Sequence, residues 1–204
     1  MRIAILGGTF DPIHNGHLAA AEIVARAFDV DEVHFIPTFV PPHKPAAGIT
    51  SPFHRFAMAA LATEPFDRFR VSTMEVDMLE PRYSVDTLER MHQKYPGSHF
   101  VFITGTDMYR DIESWKEFRR LLSLTDFAVV HRPGFPMRDD VVPIQVIDEG
   151  PATTGEETGV YYFPRLEHRI SSTEIRLEIS RGGDTSAWLS SPVGTYIEKH
   201  KLYA

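Results

Sequence analysis

Ile3-Ala4-Ile5-Leu6-Gly7-Gly8-Thr9-Phe10-Asp11-Pro12-Ile13-His14-Asn15-Gly16-His17 joins an apolar run to a glycine turn and then to two histidines. The unbroken apolar run 3–6 has the pattern of a strand buried on both faces, whereas Leu18, Ala21, Ala25 and Phe28 beyond it recur at helical spacing. The polar residues therefore fall at a strand-to-helix junction. Gly7 and Gly8 lack a Cβ, so the backbone there can turn sharply and a bulky anion can come close. Asn15 is expected to cap the helix, whose first N–H groups attract phosphate. His14 and His17, three residues apart, can reach the same bound group.

Working outward, further apolar runs occur at 33–36, 69–73, 100–103 and 127–130, with helical patterns between them. Ser51-Pro52 reads as a cap followed by proline at the first helical position, with Phe53, Phe56, Ala57, Ala60 and Leu61 on the face expected to be buried. The next helix starts near Ser84 and carries Val85, Leu88 and Met91, and Trp115, Phe118, Leu121 and Leu122 mark another. This alternation predicts an α/β fold, a doubly wound parallel sheet with helices on both faces.

Prolines and glycines interrupt the pattern at 133–159, where only 141–147 reads as a strand or extended segment and 150–159 receives no secondary structure. Order returns at Tyr161-Tyr162-Phe163. Ser171 and Glu174 have capping-box spacing, Ile175 and Ile179 give that helix a buried side, and Ser191-Pro192 opens a final helix through Tyr196 and Ile197. No linker or repeat divides the 204 residues. They are expected to form a single domain, 1–204, with 170–204 as a small helical C-terminal part.

The composition, 43% hydrophobic and 24% charged, is that of a globular protein, and no apolar stretch approaches the roughly 20 residues needed to span a bilayer. A membrane partner is not expected. The formal net charge of -7 argues against binding long nucleic acid through phosphate neutralisation, yet leaves room for a local cluster of donors around a small anion. Zero cysteines exclude disulfides and thiolate metal sites and fit a cytoplasmic location. A homo-oligomer is compatible with this chain.

In a doubly wound sheet the ligand crevice lies at the carboxyl ends of the strands, where strand order reverses. The candidates collect there: Gly7, Gly8, His14 and His17 after the first strand, Pro41-Pro42-His43-Lys44 after the second, Gly105-Thr106-Asp107 after the fourth. A further helix start at 171–176 adds hydroxyls, N–H groups and the Arg176 guanidinium. Together they describe a polyphosphate site. Each residue also has an ordinary structural reading: His14 as a helix cap, Lys44 as a solvated loop lysine, Asp107 as a cap, Trp115 as core packing, Arg132 and Arg176 as structural ion pairs. Zinc on the two histidines lacks a third ligand at a telling spacing, so no metal site is expected.

Residues 7–17, ending in His-Asn-Gly-His, resemble the signature of the nucleotidyltransferase superfamily. Within it, Pro41-Pro42-His43-Lys44, Tyr83-Ser84-Val85-Asp86-Thr87, Gly105-Thr106-Asp107-Met108, Trp115, Arg132-Pro133-Gly134, Ile170-Ser171-Ser172-Thr173 and the ending Tyr196-Ile197 with Leu202-Tyr203 resemble the bacterial nicotinate-nucleotide adenylyltransferases. The likeness spans nearly the whole chain. Ser84 stands where that family is pictured with threonine, and 150–159 has no clear counterpart.

The resemblance implies a Rossmann-like nucleotidyltransferase fold and transfer of the adenylyl group of ATP to nicotinate mononucleotide, with Mg²⁺ arriving on ATP. It implies catalytic roles for His14, His17, Lys44 and Arg176. ATP would be bound by Gly7, Gly8, Thr9, Phe10, Gly105, Asp107, Ile170, Ser171, Ser172 and Thr173. The pyridine nucleotide would meet Ser84, Asp86, Thr87, Trp115 and Arg132. Rival readings are the same chemistry on nicotinamide mononucleotide or phosphopantetheine, a cytidylyl transfer, and a nucleotide-binding module without catalysis. A dehydrogenase is disfavoured because the Gly-x-Gly-x-x-Gly fingerprint is absent after the first strand.

Overall fold

The computed structural model describes residues 1–39, 48–76, 83–148, 150–152, 155, 157–165 and 170–204. The apolar runs become β1 (Arg2–Gly8), β2 (Glu32–Pro37), β3 (Phe69–Val71), β4 (His99–Gly105) and β5 (Asp126–Val130), joined by two short strands, β6 (Ile144–Val146) and β7 (Val160–Phe163). Among the described residues they form one seven-stranded sheet in the order β3-β2-β1-β4-β5-β7-β6, and every pairing is parallel. The chain winds outward from β1 to β3 and then returns to lay β4 on the other side of β1. At that reversal the connections leave in opposite directions, so a crevice opens above the carboxyl ends of β1 and β4.

Alternate side chains along the strands serve two separate layers. Ala4, Leu6, Phe35, Val101 and Ile103 face the helices α1 (Asn15–Ala27) and α2 (Pro52–Thr63). Ile3, Ile5, Phe100, Phe102 and Phe127 face α3 (Ser84–Lys94) and α5 (Phe118–Leu124). This is the period-two alternation of a strand covered on both faces, and each fully buried aliphatic or aromatic side chain contributes roughly 1.5–3 kcal/mol. Two further helices, α6 (Ser172–Ser180) and α7 (Ser191–His200), bury Ile175, Val193 and Ile197 in the first of these clusters. Between β4 and α5 lie a single helical turn, α4 (Thr106–Tyr109), and a 3₁₀ turn (Ile112–Ser114). Among the described residues, no helix is long and apolar enough to cross a membrane.

Three local expectations are corrected. The buried face of α2 is Arg55, Met58, Ala59 and Ala62, not the Phe53 face, and Phe53 is 69% exposed. Trp115 lies outside α5, after the 3₁₀ turn, because Glu117 adopts a left-handed conformation (φ 51°) immediately before that helix. The N-cap of α1 is His14 rather than Asn15. Asn15 instead donates through its backbone N–H to the Trp188 carbonyl (2.9 Å) and through its side chain to the Ala187 carbonyl (3.2 Å), fastening the segment before α7.

Candidate active site

A cleft of about 850 Å³ opens over the β1 and β4 ends. Its floor is the turn after β1, where Phe10 takes a positive φ of 50°. The Phe10 ring is buried and meets the His17 ring edge-on, with centroids 5.0 Å apart. A Cβ on Gly8 would press on that same ring at 3.0–3.3 Å, so glycine there is a packing requirement as well as a turn. Phe10 thus supports His17 from below.

The His14 and His17 rings lie 3.7 Å apart, inclined by 30°. The backbone N–H of His14 donates to His17 Nδ1 at 3.2 Å. An Nδ1 that accepts carries no proton, so neutral His17 holds its hydrogen on Nε2. Burial, then the neighbouring His14 and Arg132, push the His17 pKa well below its ordinary value. At neutral pH, His17 is therefore an uncharged donor with a determined tautomer.

In α4, just beyond β4, Asp107 pairs with Arg132, Nη1 to Oδ2 at 2.7 Å. The Arg132 backbone N–H is held by Thr106 Oγ1 at 2.9 Å. Asp107 Oδ1 is buried and has no hydrogen-bond partner among the described residues. A Cβ on Gly105 would collide with this carboxylate, so the glycine clears the space that it occupies.

A second region of the cleft is formed by the start of α3 and by Trp115. Trp115 leans edge-on against Phe102 at 6.2 Å, which leaves part of its indole toward the cavity. Thr87 Oγ1 donates to the buried Glu75 carboxylate at 2.6 Å, tying α3 to the chain after β3. The first N–H groups of α3 have no acceptor within the helix and give this end a partial positive charge. A third region is the start of α6: Ile170, Ser171, Ser172, Thr173 and Arg176 all line the cleft. Ser171 caps this helix, its Oγ accepting from the Glu174 N–H at 3.2 Å, while its own N–H donates to Glu174 at 2.9 Å.

A cytidylyltransferase-like family model matches residues 5–178. A protein of Desulfitobacterium hafniense strain Y51 named "probable nicotinate-nucleotide adenylyltransferase" is 39% identical over 203 residues, covering 99% of this chain and 95% of its own. A protein of the same name from Thermus thermophilus is 38% identical, covering 100% of both chains. The chain belongs to the nicotinate-nucleotide adenylyltransferase family. The fold agrees with that membership: a Plasmodium falciparum nicotinic acid mononucleotide adenylyltransferase structure, described as complexed with NaAD, superposes with a TM-score of 0.80 at 21% identity, covering 99% of this chain and 97% of that one.

The adenylyltransferase motifs converge as the sequence reading expects, with specific departures. Gly7, Gly8, Thr9, Phe10, His14, His17, Ser84, Thr87, Gly105, Asp107, Trp115 and Arg132 line the same cleft as the α6 start. Lys44 lies outside the described residues, as do Pro41, Pro42 and His43. Asp86 does not line the cleft: its carboxylate accepts from the Tyr83 N–H at 3.3 Å and pairs with Lys116 at 3.0 Å, so it serves the start of α3. Arg132 lines the cleft with its guanidinium bonded to the Asp107 carboxylate. The hydroxyls of Ser171 and Ser172 are also committed, the first to Glu174 and the second to the Pro12 carbonyl at 2.9 Å. The Ser171 backbone N–H is committed to Glu174 as well, so the N–H groups that this helix start can offer begin at Ser172.

Three residues escape sequence reasoning. Arg55 is 0% exposed and donates to the carbonyls of Thr9 (2.6 Å), Phe39 (2.7 Å) and Thr50 (2.8 Å). Burial lowers its pKa, opposed by Asp11, and an arginine so placed keeps its charge. Asp11 is 4% exposed within the turn after β1, and Tyr203 donates to it at 2.6 Å. The helical pattern of α2 marks Arg55 as one of its residues and nothing more. Asp11 sits inside the signature itself, where its position is the available signal.

Proposed function

We propose that this chain joins nicotinate mononucleotide to the adenylyl group of ATP, forming nicotinate adenine dinucleotide and pyrophosphate in NAD biosynthesis. An oxygen of the nicotinate mononucleotide phosphate bonds to the α-phosphorus of ATP, and the bond from that phosphorus to the β-phosphate bridging oxygen breaks. No protein nucleophile is required. Such a transfer rests on aligning two anions and on stabilising charge at the transferring and leaving phosphates.

His17 offers Nε2–H to the α-phosphate, with His14 beside it on the neighbouring phosphates. The N–H groups at the start of α6, with Thr173 and the remaining donors of Arg176, take the β- and γ-phosphates. Mg²⁺ enters as part of the ATP substrate, since it keeps waters and needs few protein carboxylates. Lys44 is assigned from the sequence alone to the acceptor and leaving phosphates. Asp107, with its unsatisfied oxygen, accepts from the ATP ribose hydroxyls. The nicotinate ring stacks on Trp115, and its carboxylate meets the N–H groups that open α3, where a neutral amide gains less.

The observation that carries this reading is the shared cleft: the histidine pair and α6 start suit a polyphosphate, while Trp115 and the α3 start suit an anionic aromatic ring. The test measures pyrophosphate release from Mg·ATP with nicotinate mononucleotide, nicotinamide mononucleotide and phosphopantetheine in turn. Release is expected to be fastest with nicotinate mononucleotide. Equal rates with the nicotinamide nucleotide would remove the carboxylate assignment, and ATP binding without turnover on any acceptor would leave a binding module.

A further inference from the structure

Behind the phosphate-binding turn, the backbone is clamped from elements far away in the chain. The Asp11 carbonyl accepts from Arg176 Nη1 at 2.7 Å, the Pro12 carbonyl from Ser172 Oγ at 2.9 Å, and the Thr9 carbonyl from Arg55 Nη1 at 2.6 Å. The Asp11 carboxylate is held separately. One oxygen accepts the Thr50 N–H at 3.2 Å, and the other accepts the Tyr203 hydroxyl at 2.6 Å across 192 residues.

Tyr203 reaches this position because the chain reverses after α7, with Lys201 at φ 51° and Tyr203 at φ 66°. Leu202 and Tyr203 pack against the same hydrophobic cluster as α1 and α2. Burial, and then the bond to Asp11, hold the phenol far above its ordinary titration range, so it stays a donor. The arrangement solves an electrostatic problem. A buried carboxylate within a turn that receives a polyanion needs partners of its own, and Asp11 has Tyr203, Thr50 and the nearby charge of Arg55.

We propose that Tyr203 is a positioning residue for adenylyl transfer: through its hydrogen bond to Asp11 it sets the turn that aims His14 and His17. It touches no reacting atom. Misplacing catalytic groups by about 1 Å costs on the order of 10²-fold in rate, so a smaller shift of this turn is read mainly in kcat. The inference rests on the adenylyltransferase reading above, so its test has a readout independent of turnover.

Tyr203→Phe deletes one hydroxyl and keeps the ring that packs on the core. At a temperature where circular dichroism shows both proteins folded, kcat is expected to fall about tenfold or more with the KM for nicotinate mononucleotide within about twofold. Ring ¹⁵N spectra of His17 in the ligand-free protein report the link directly: a single Nε2–H tautomer in the parent, a mixture in Tyr203→Phe. Asp11→Ala and the double variant complete a cycle, in which the two losses should overlap instead of multiplying. An unchanged His17 spectrum with unchanged kcat overturns the proposal, as do losses that multiply in the double variant. A parent protein with the expected His17 spectrum but no adenylyl transfer refutes the proposed activity and leaves the Tyr203 link to the turn standing. Should Tyr203→Phe fail to fold, Asp11→Ala alone, which removes the acceptor of the Tyr203 hydroxyl, tests the same link, and an unchanged His17 spectrum there overturns the proposal.

Discussion

Asp107 gives one carboxylate oxygen to Arg132 at 2.7 Å and keeps the other buried, with no bond to it among the described residues. Leaving a buried acceptor empty is costly, so the geometry suits a ligand that arrives with hydroxyl donors. Asp107→Ala is expected to raise the KM for ATP about 10- to 100-fold, the value of one or two hydrogen bonds to a charged group. The KM for nicotinate mononucleotide should stay nearly constant. The sharper measurement compares ATP with 2′-deoxy-ATP: the parent enzyme should discriminate and the variant should not. Discrimination retained by Asp107→Ala would assign the ribose elsewhere.

His17 presents its Nε2–H from a ring fastened at Nδ1 by the His14 backbone. His17→Ala is expected to lower kcat by about 10²–10³, the usual effect of deleting one preorganised donor to developing charge. Binding of ATP, followed by calorimetry, should persist. Loss of binding in proportion to kcat would make His17 a ground-state ligand only.

The lowered pKa of His17 has a stability consequence. The unfolded chain takes up the proton first, near pH 6.5, so the contribution of His17 to stability is complete above that pH and declines as pH falls toward the folded-state value. His34 is also lowered by burial, against the opposing pull of Glu32, and adds in the same direction. Melting temperature should therefore drop from pH 7 to pH 5 more steeply in the parent than in His17→Gln. Parallel curves for the two proteins would place the titration elsewhere.

Trp115 packs on Phe102 with one edge and meets the cavity with the rest. Trp115→Ala should raise the KM for the pyridine nucleotide about tenfold, from lost stacking and lost buried area. Because stacking ignores the substituent, the preference for nicotinate over nicotinamide mononucleotide should survive. A collapse of that preference would move the carboxylate contact from α3 to the Trp115 segment.

Among the described residues, Arg55 is the largest fully buried side chain. Arg55→Met keeps much of its volume but strips three loop carbonyls of their donors and removes one of the cations near Asp11, leaving Arg176. The loss should exceed about 3 kcal/mol, lowering the melting temperature by roughly 6–12 °C. A shift of only a degree or two would mean that water replaces the guanidinium.

The elements legible from periodicity are those whose partners are generic. Ile3 to Leu6, Val85 with Leu88 and Met91, and the Ser171–Glu174 box each need only a sheet, an apolar neighbour or the local backbone, and all are found as expected. The face of α2 defeats the same reading for the opposite reason. Arg55 is buried to satisfy three carbonyls from the connections after β1 and β2, and where a loop turns its carbonyls is not written in the spacing of apolar residues. The Phe53 face is a consistent apolar arc too, so pattern alone does not choose between them. Ser172 and Asp86 are legible as polar residues near the site, yet their commitments to Pro12 and Lys116 depend on tertiary approach.

His17 gives the site a property beyond geometry. An imidazole kept neutral by burial and by two basic neighbours is also kept in place, since a proton on Nδ1 would displace the His14 N–H that this atom accepts. Charge and ring position are therefore a single property of His17, and neither can be changed without the other.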